Sequence, residues 1–260
     1  MTRRAHRVLV TRPACEALRW TEALCEQGIE AESLPLIEIA PLVDALALQA
    51  VWQDMHRYGA LMFVSANAVQ HFMSHRPEGS ALQMQAWGTG PGTQAALLAA
   101  GWPEQAIRCP AADAPRFDSE ALWTLVRSEV SGWAGREVLI VRGADANGQL
   151  AGRDWLAKQL ETVGVTVAQC VAYVRRVPIP DAHQLTRARQ ALHDGSWWLF
   201  SSSEAAQNLA HWLPHEIGPQ ARALATHPRI AERLRRQGWG RVEVVPATLQ
   251  AQVASIECLK

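Results

Sequence analysis

Short apolar runs alternate along the chain with longer stretches in which apolar residues return every three or four positions. RVLVT (7–11), ALMFVS (60–65), EVLIV (137–141) and WWLFS (197–201) are of strand length and nearly continuous in apolar character, which predicts strands covered on both faces. Between them lie helical stripes, Ala17, Trp20 and Leu24 in one and Leu156, Leu160 and Val163 in another. Gly28, Gly101, Gly164 and Gly238 fit the left-handed position after a helix. Pro91 and Pro228 stand in first turns, where a missing N–H leaves no bond unmade. Strand, turn, helix, glycine, strand is the order of every unit, and such alternation predicts parallel sheets.

The pattern is written twice. FVSANAVQHF (63–72) returns as FSSSEAAQNL (200–209) at an offset of 137, which pairs Ser65 with Ser202, Ala68 with Ala205 and Gln70 with Gln207. At the same offset AWGTGPGTQAALLAAGW (86–102) meets ALATHPRIAERLRRQGW (223–239), with Ala86, Thr89, Pro91, Leu97, Gly101 and Trp102 facing identical residues. VLVTRP (8–13) and VLIVRG (138–143) form a second pair at an offset of 130. The chain therefore reads A, B, A′, B′. The predicted fold class is α/β: two doubly wound parallel-sheet (flavodoxin-like) domains with an internal duplication. LPLIEIAPL (34–42) and CVAYVRRVPIP (170–180) carry prolines and β-favouring residues and look like two crossings between lobes, a two-stranded connector. On this pattern one lobe is inserted in the other, or two tandem halves meet near Gly132.

Composition narrows the function classes. Lys plus Arg equals Asp plus Glu, 25 against 25, so no broad basic face is available for nucleic acid. The start MTRRAHRVLVTRP is basic, but its apolar run is only strand-length, too short for a leader or a membrane span, and a soluble cytoplasmic protein is expected. The five cysteines, Cys15, Cys25, Cys109, Cys170 and Cys258, form no CxxC pair and read as structural thiols. The eleven tryptophans read as packing.

Ligands of open parallel sheets bind beyond the carboxyl ends of the strands, where helix N-termini point their unpaired N–H groups. Thr11 and Arg12, Ser65 to Asn67, Arg142 and Gly143, and Ser201 to Ser203 all fall at that edge and supply donors suited to anions. Any single Ser, Thr or Asn there reads equally as a helix N-cap, worth about 1 kcal/mol. GTGPGT (88–93) is GxGxG rather than GxGxxG, and its counterpart THPRI (226–230) has no glycine, so a shared nucleotide role fails while a backbone-lined carboxylate site or a plain turn remains. His71 with His75 and His211 with His215 have i, i+4 spacing but no third ligand, so no metal is expected. Tyr173 lies nine residues past Gly164, where the first repeat has Ile37. Its phenol is either a neutral hydrogen-bond donor able to assist a departing hydroxyl or a half-buried strand tyrosine.

Taken together, VLVTRP, FVSANAV, the GxGPGT turn, VLIVRG, the AYVRR segment and FSSSEAAQNL resemble the uroporphyrinogen-III synthase family, in order and spacing over nearly the whole chain. The resemblance implies a first domain built from 1–38 and 176–260 and a second, 39–175, inserted in it. It implies a small-molecule substrate, the linear tetrapyrrole polycarboxylate hydroxymethylbilane, which both lobes close around and cyclise with loss of water and inversion of ring D. No cofactor, metal or membrane is implied, and a monomer is expected. By resemblance Tyr173 matches the tyrosine that helps the hydroxyl leave, and Ser65, Thr93 and Ser202 match cleft hydroxyls; Thr11, Arg12, Asn67, Arg142 and Ser203 come from turn geometry. Where the family often has threonine this chain has Ile230, with Thr226 or Arg229 as the replacement donor. A two-lobed sugar-nucleotide transferase and a non-catalytic cytoplasmic anion-binding protein are the rival readings.

Overall fold

The computed structural model describes residues 7–114, 116–133, 135–150 and 154–259. The basic stretch MTRRAH, part of the start read above as too short for a leader, lies outside the described residues. The chain opens with β1 (Val8–Val10), α1 (Ala14–Glu26) and β2 (Ala31–Ser33), and then crosses into β3 (Glu38–Pro41). There follow α2 (Leu46–Gln53), β4 (Tyr58–Phe63), α3 (Ala66–Met73), β5 (Gln85–Gly88), α4 (Pro91–Ala99) and β6 (Ile107–Arg108). Next come α5 (Ser119–Val130), β7 (Glu137–Ala144), α6 (Trp155–Thr162) and the long β8 (Thr166–Arg176). The chain ends with α7 (Ala182–His193), β9 (Trp197–Phe200), α8 (Ser203–Trp212), β10 (Arg222–Ala225), α9 (Pro228–Arg236), β11 (Arg241–Val244) and α10 (Leu249–Glu257).

The chain divides into two compact units, one of Met1–Glu38 with Arg176–Lys260 and one of Ile39–Arg175. The first holds a five-stranded sheet in the order β11-β10-β9-β1-β2, the second a six-stranded sheet in the order β3-β8-β7-β4-β5-β6. The pairs β1 with β2 and β9, and β7 with β4 and β8, are parallel, as are β9 with β10 and β4 with β5. Matching β1 to β7 and β9 to β4 makes the two sheets the same order, with β3 added at one edge of the second. Each sheet therefore joins an A-type segment to a B-type one, A with B′ and A′ with B.

The continuous apolar runs have a direct cause. In β4, Leu61 and Phe63 face one core with Leu48, Trp52, Phe72 and Leu97, while Ala60 and Met62 face another with Leu122, Val126, Leu156 and Leu160. Side chains alternate along a strand, so a sheet with helices on both faces needs apolar residues at every position. In the first unit Val8, Val10, Trp197 and Leu199 pack against Ala17, Leu24 and Ile256. On alternate positions of the same sheet, Trp198 and Phe200 stack at 6.2 Å and meet the Trp239 ring edge-on at 6.0 and 5.4 Å. Burying a large apolar side chain stabilises by roughly 1.5–3 kcal/mol, so this cluster is a principal anchor of the unit. Pro91 and Pro228 open α4 and α9, and Gly28, Gly101, Gly164 and Gly238 have φ of 78°, 92°, 80° and 91°, all in the left-handed region.

The first unit must also tie its first 38 residues to a segment that begins more than a hundred residues later. Beyond the β1–β9 pairing, Asn208 Nδ2 donates to the Leu36 carbonyl at 2.7 Å. The buried Arg187 donates from Nε to Glu32 at 2.7 Å, and from Nη1 to Asp194 at 3.1 Å.

Candidate active site

In the second unit, β4 delivers the chain at its carboxyl end to Ser65. Ser65 is extended, with φ −166° and ψ 165°, and its Oγ accepts the Ala68 N–H at 3.2 Å, which caps α3. The same Oγ lies 3.2 Å from the hydroxyl of Tyr173 on β8. Tyr173 is 3% exposed. Further along α3, His71 lays its ring against the phenol at 5.5 Å between centroids and 31° between planes. Burial, together with the neighbouring His75, holds the His71 imidazole below its ordinary value, so the ring beside the phenol is neutral at pH 7. A phenol next to a hydroxyl at the positive end of a helix is equipped to release a proton and to have the resulting negative charge held.

Asn67 lies half-buried in the first turn of α3, one residue after the cap region that Ser65 opens. Thr93, in the first turn of α4, is buried, and its methyl group would stand 3.0 Å from a Cβ placed on Gly88. A Cβ on Gly90 would likewise stand 3.2 Å from Phe117 Cβ, and the backbone there is extended at φ −177°. Gly88 and Gly90 of GTGPGT thus answer to close packing of side chains, while Gly92 has open space beside it. Cys109 and Cys170 are pushed up to about 11 by burial, which keeps both as unreactive thiols. Beside the end of β6 a recess of about 490 Å³ is walled by the apolar Pro110, Ala111 and Leu125 and by the polar Arg116, Glu120 and Thr124, among others. None of the predicted donors lines it.

In the first unit Ser202 caps α8 by accepting the Glu204 N–H at 3.1 Å, and Ser203 begins that helix; both are half-buried. Thr226 follows β10 and is half-buried, Arg229 is exposed in the first turn of α9, and Ile230 is buried in the core. Ile37, the counterpart of Tyr173, is also buried, so the phenol-to-serine pair belongs to the second unit alone.

Three residues expected to reach a ligand have other work. Thr11 has no exposed surface, and its hydroxyl donates to the Leu199 carbonyl at 2.8 Å, tying β1 to β9. Arg142 is 3% exposed and donates from Nη1 to Asp154 at 2.9 Å and to Gln169 at 2.8 Å. Arg12 is held by Glu16 at 3.5 Å and lies 4.1 Å over the Trp20 ring, and burial lowers its pKa against the pull of Glu16. Arg12 and Arg142 are equivalent positions of the A repeat, and each binds an acid at the start of the next helix. The same pairing thus recurs in both A repeats.

Two neighbours of the phenol escaped sequence reasoning. Spacing pairs His71 with His75, but it also sits six positions from Ser65 on the helix that Ser65 caps. Gly143 falls at a turn in the sequence pattern but inside β7 in the structure, and a glycine inside a strand signals a bulge or a close approach. Among the described residues no group of three or more His, Cys, Asp or Glu is placed to hold a metal ion, and no helix is long and apolar enough to cross a membrane.

Comparison with known proteins gives a consistent result. A family model described as uroporphyrinogen-III synthase HemD matches residues 19–253. The solved uroporphyrinogen-III synthetase of Helicobacter pylori is similar to this chain at 15% identity and a TM-score of 0.61, covering 98% of this chain and 100% of that one. A mutant uroporphyrinogen III synthase from Thermus thermophilus is similar at 14% identity and a TM-score of 0.55, covering 97% and 98%. At such identities the structures speak for the fold, and the family match speaks for the lineage.

Proposed function

The chain belongs to the uroporphyrinogen-III synthase family, and we propose that it cyclises hydroxymethylbilane to uroporphyrinogen III. The family match across residues 19–253 carries this reading. The phenol of Tyr173 passes its proton to the terminal hydroxyl of the bilane as the C–O bond breaks, the bonding pair leaving with oxygen as water. A pyrrole-stabilised methylene cation and a phenolate remain. Ser65, 3.2 Å away, donates to that phenolate at the N-terminus of α3. The substituted carbon of the last pyrrole attacks the cation, and the spiro intermediate rearranges with inversion of ring D. The proton lost as the macrocycle regains aromatic pyrroles returns to the phenolate, so the enzyme is a cyclising hydro-lyase.

The substrate carries acetate and propionate groups along its length, and hydroxyl, amide and helix N-terminal donors suited to them stand in each unit by itself, Ser65 and Asn67 in the second and Ser202 and Ser203 in the first. Charge-assisted bonds of this kind need no net basicity, in keeping with 25 basic and 25 acidic residues. The same reading has the enzyme acting as a cytoplasmic monomer; sedimentation at the mass of a single 28.6 kDa chain is the check.

The test supplies freshly generated hydroxymethylbilane and separates the isomers formed. The type III product is expected in excess, and formation of the symmetric type I ring alone would leave a binding protein without this activity. Tyr173→Phe is expected to slow turnover by roughly 10²–10⁴-fold while the variant still binds the bilane. Unchanged turnover would remove the proton-donor role and leave the family assignment standing.

A further inference from the structure

The strands β7 and β8 run in parallel register from Glu137 opposite Thr166 to Arg142 opposite Val171. The next pair is Gly143 opposite Tyr173, so β8 advances two residues while β7 advances one and Ala172 is the extra residue. Such a bulge re-aims the side chains that follow it. Without it Ala172 would stand opposite Gly143, and Tyr173 opposite Ala144.

The bulge brings the end of the phenol over the Gly143 Cα. A Cβ built on Gly143 would lie 2.5 Å from Tyr173 Cε2, 2.6 Å from Cζ and 3.0 Å from the hydroxyl oxygen. Gly143 does not have a positive φ, so its backbone conformation is open to any residue and only the space demands glycine. The ring is thus flanked by Gly143 and by His71 at 5.5 Å, with Ser65 at 3.2 Å from its tip.

We infer that Gly143 is a positioning residue for the reaction: the missing side chain, with the bulge at Ala172, seats the Tyr173 phenol so that its hydroxyl meets Ser65 Oγ. The inference rests on the reading of Tyr173 as proton donor. It goes beyond that reading by naming what orients the donor, and it explains why a glycine stands inside a buried strand.

The experiment is Gly143→Ala in the full chain, with kinetics and the NMR signals of ring-labelled tyrosine read together. The chain has two tyrosines, so Tyr173 is identified by the signals that vanish in Tyr173→Phe, and Tyr58 serves as the internal reference. Displacing the phenol by about 1 Å is expected to lower kcat by up to about 10²-fold with KM within twofold, and to move the Tyr173 signals but not those of Tyr58. Unmoved signals with unchanged kcat, while Tyr173→Phe remains slow, overturn the seat and spare the donor. If Tyr173→Phe is as fast as the parent, the donor reading falls, and the catalytic role of Gly143 falls with it. Should Gly143→Ala fail to fold, the double variant with Tyr173→Ser decides: recovery of the fold identifies the ring as the group in the way, and failure to recover overturns the seat.

Discussion

Replacing Arg187 by methionine tests how the first unit holds its two chain segments together. The Arg187 side chain is about nine-tenths buried and reaches Glu32 at 2.7 Å, Asp194 at 3.1 Å and the Ser196 hydroxyl at 3.3 Å. Hydrogen bonds to charged groups contribute roughly 1.5–3 kcal/mol each and a neutral one about 1 kcal/mol. Glu32 and Asp194 are 35% and 36% exposed, however, and regain much of their hydration once the guanidinium is gone, so each bond is discounted to about 1 kcal/mol. Methionine refills most of the aliphatic volume. The sum is a loss of about 2–3 kcal/mol, or a fall of about 1 M in the urea midpoint at an ordinary slope.

The same network has a pH signature. Burial raises the Asp194 pKa, but the Ser196 side chain and backbone and the Arg187 charge outweigh it and hold the carboxyl below its usual range. A depressed carboxyl stabilises fully above its unfolded value, near pH 3.9, and that stability is lost as pH falls through the folded value. Arg187→Met should therefore flatten the acid limb of the stability curve as well as lower it. Urea titrations followed by circular dichroism from pH 3 to 7, with Glu32→Gln and the double variant completing a cycle, give both quantities. A loss below about 0.5 kcal/mol, or full additivity with Glu32→Gln, would show that burial and strand pairing alone hold the segments.

Two further outcomes follow from packing and charge. A methyl group at Gly240 would fall on the carbonyl oxygen of Pro219, so Gly240→Ala should prevent the first unit from folding, whereas Gly92→Ala in α4, with nothing within 4 Å, should leave stability equal or raise it by up to about 1 kcal/mol; thermal melts of the pair decide it. Because the His71 pKa is lowered in the folded protein, its share of stability is complete above the unfolded value, near pH 6.5, and is lost as pH falls through the lower folded value; His71→Gln should flatten that limb, and an unaltered stability profile between pH 5 and 7 would contradict the burial seen around the ring.

Much of the architecture is written locally. The apolar runs at β1, β4, β7 and β9 are continuous because each strand faces a helix layer on both sides, and that requirement acts residue by residue. The glycines after α1, α4, α6 and α9 and the prolines opening α4 and α9 answer to single-residue backbone geometry, so they too are legible in one dimension. The caps at Ser65 and Ser202 belong to the same class. What the sequence by itself determined is therefore the repeating unit and its parallel sheets.

Pairing across long chain separations belongs to the tertiary structure. That β1 lies against β9, and β7 against β4, depends on which apolar faces meet after collapse, and no local preference distinguishes this from two tandem halves. The partners of Thr11, Arg12 and Arg142 were hidden for the same reason: Leu199, Glu16 and Asp154 come within about 3.5 Å of them only in the folded chain. A bulge one residue long likewise decides where the Tyr173 phenol points, because side-chain direction on a strand reverses with every step. Backbone and burial preferences act on each residue where it stands, while hydrogen bonds and ring contacts need two groups at a set separation, and only the folded chain sets it.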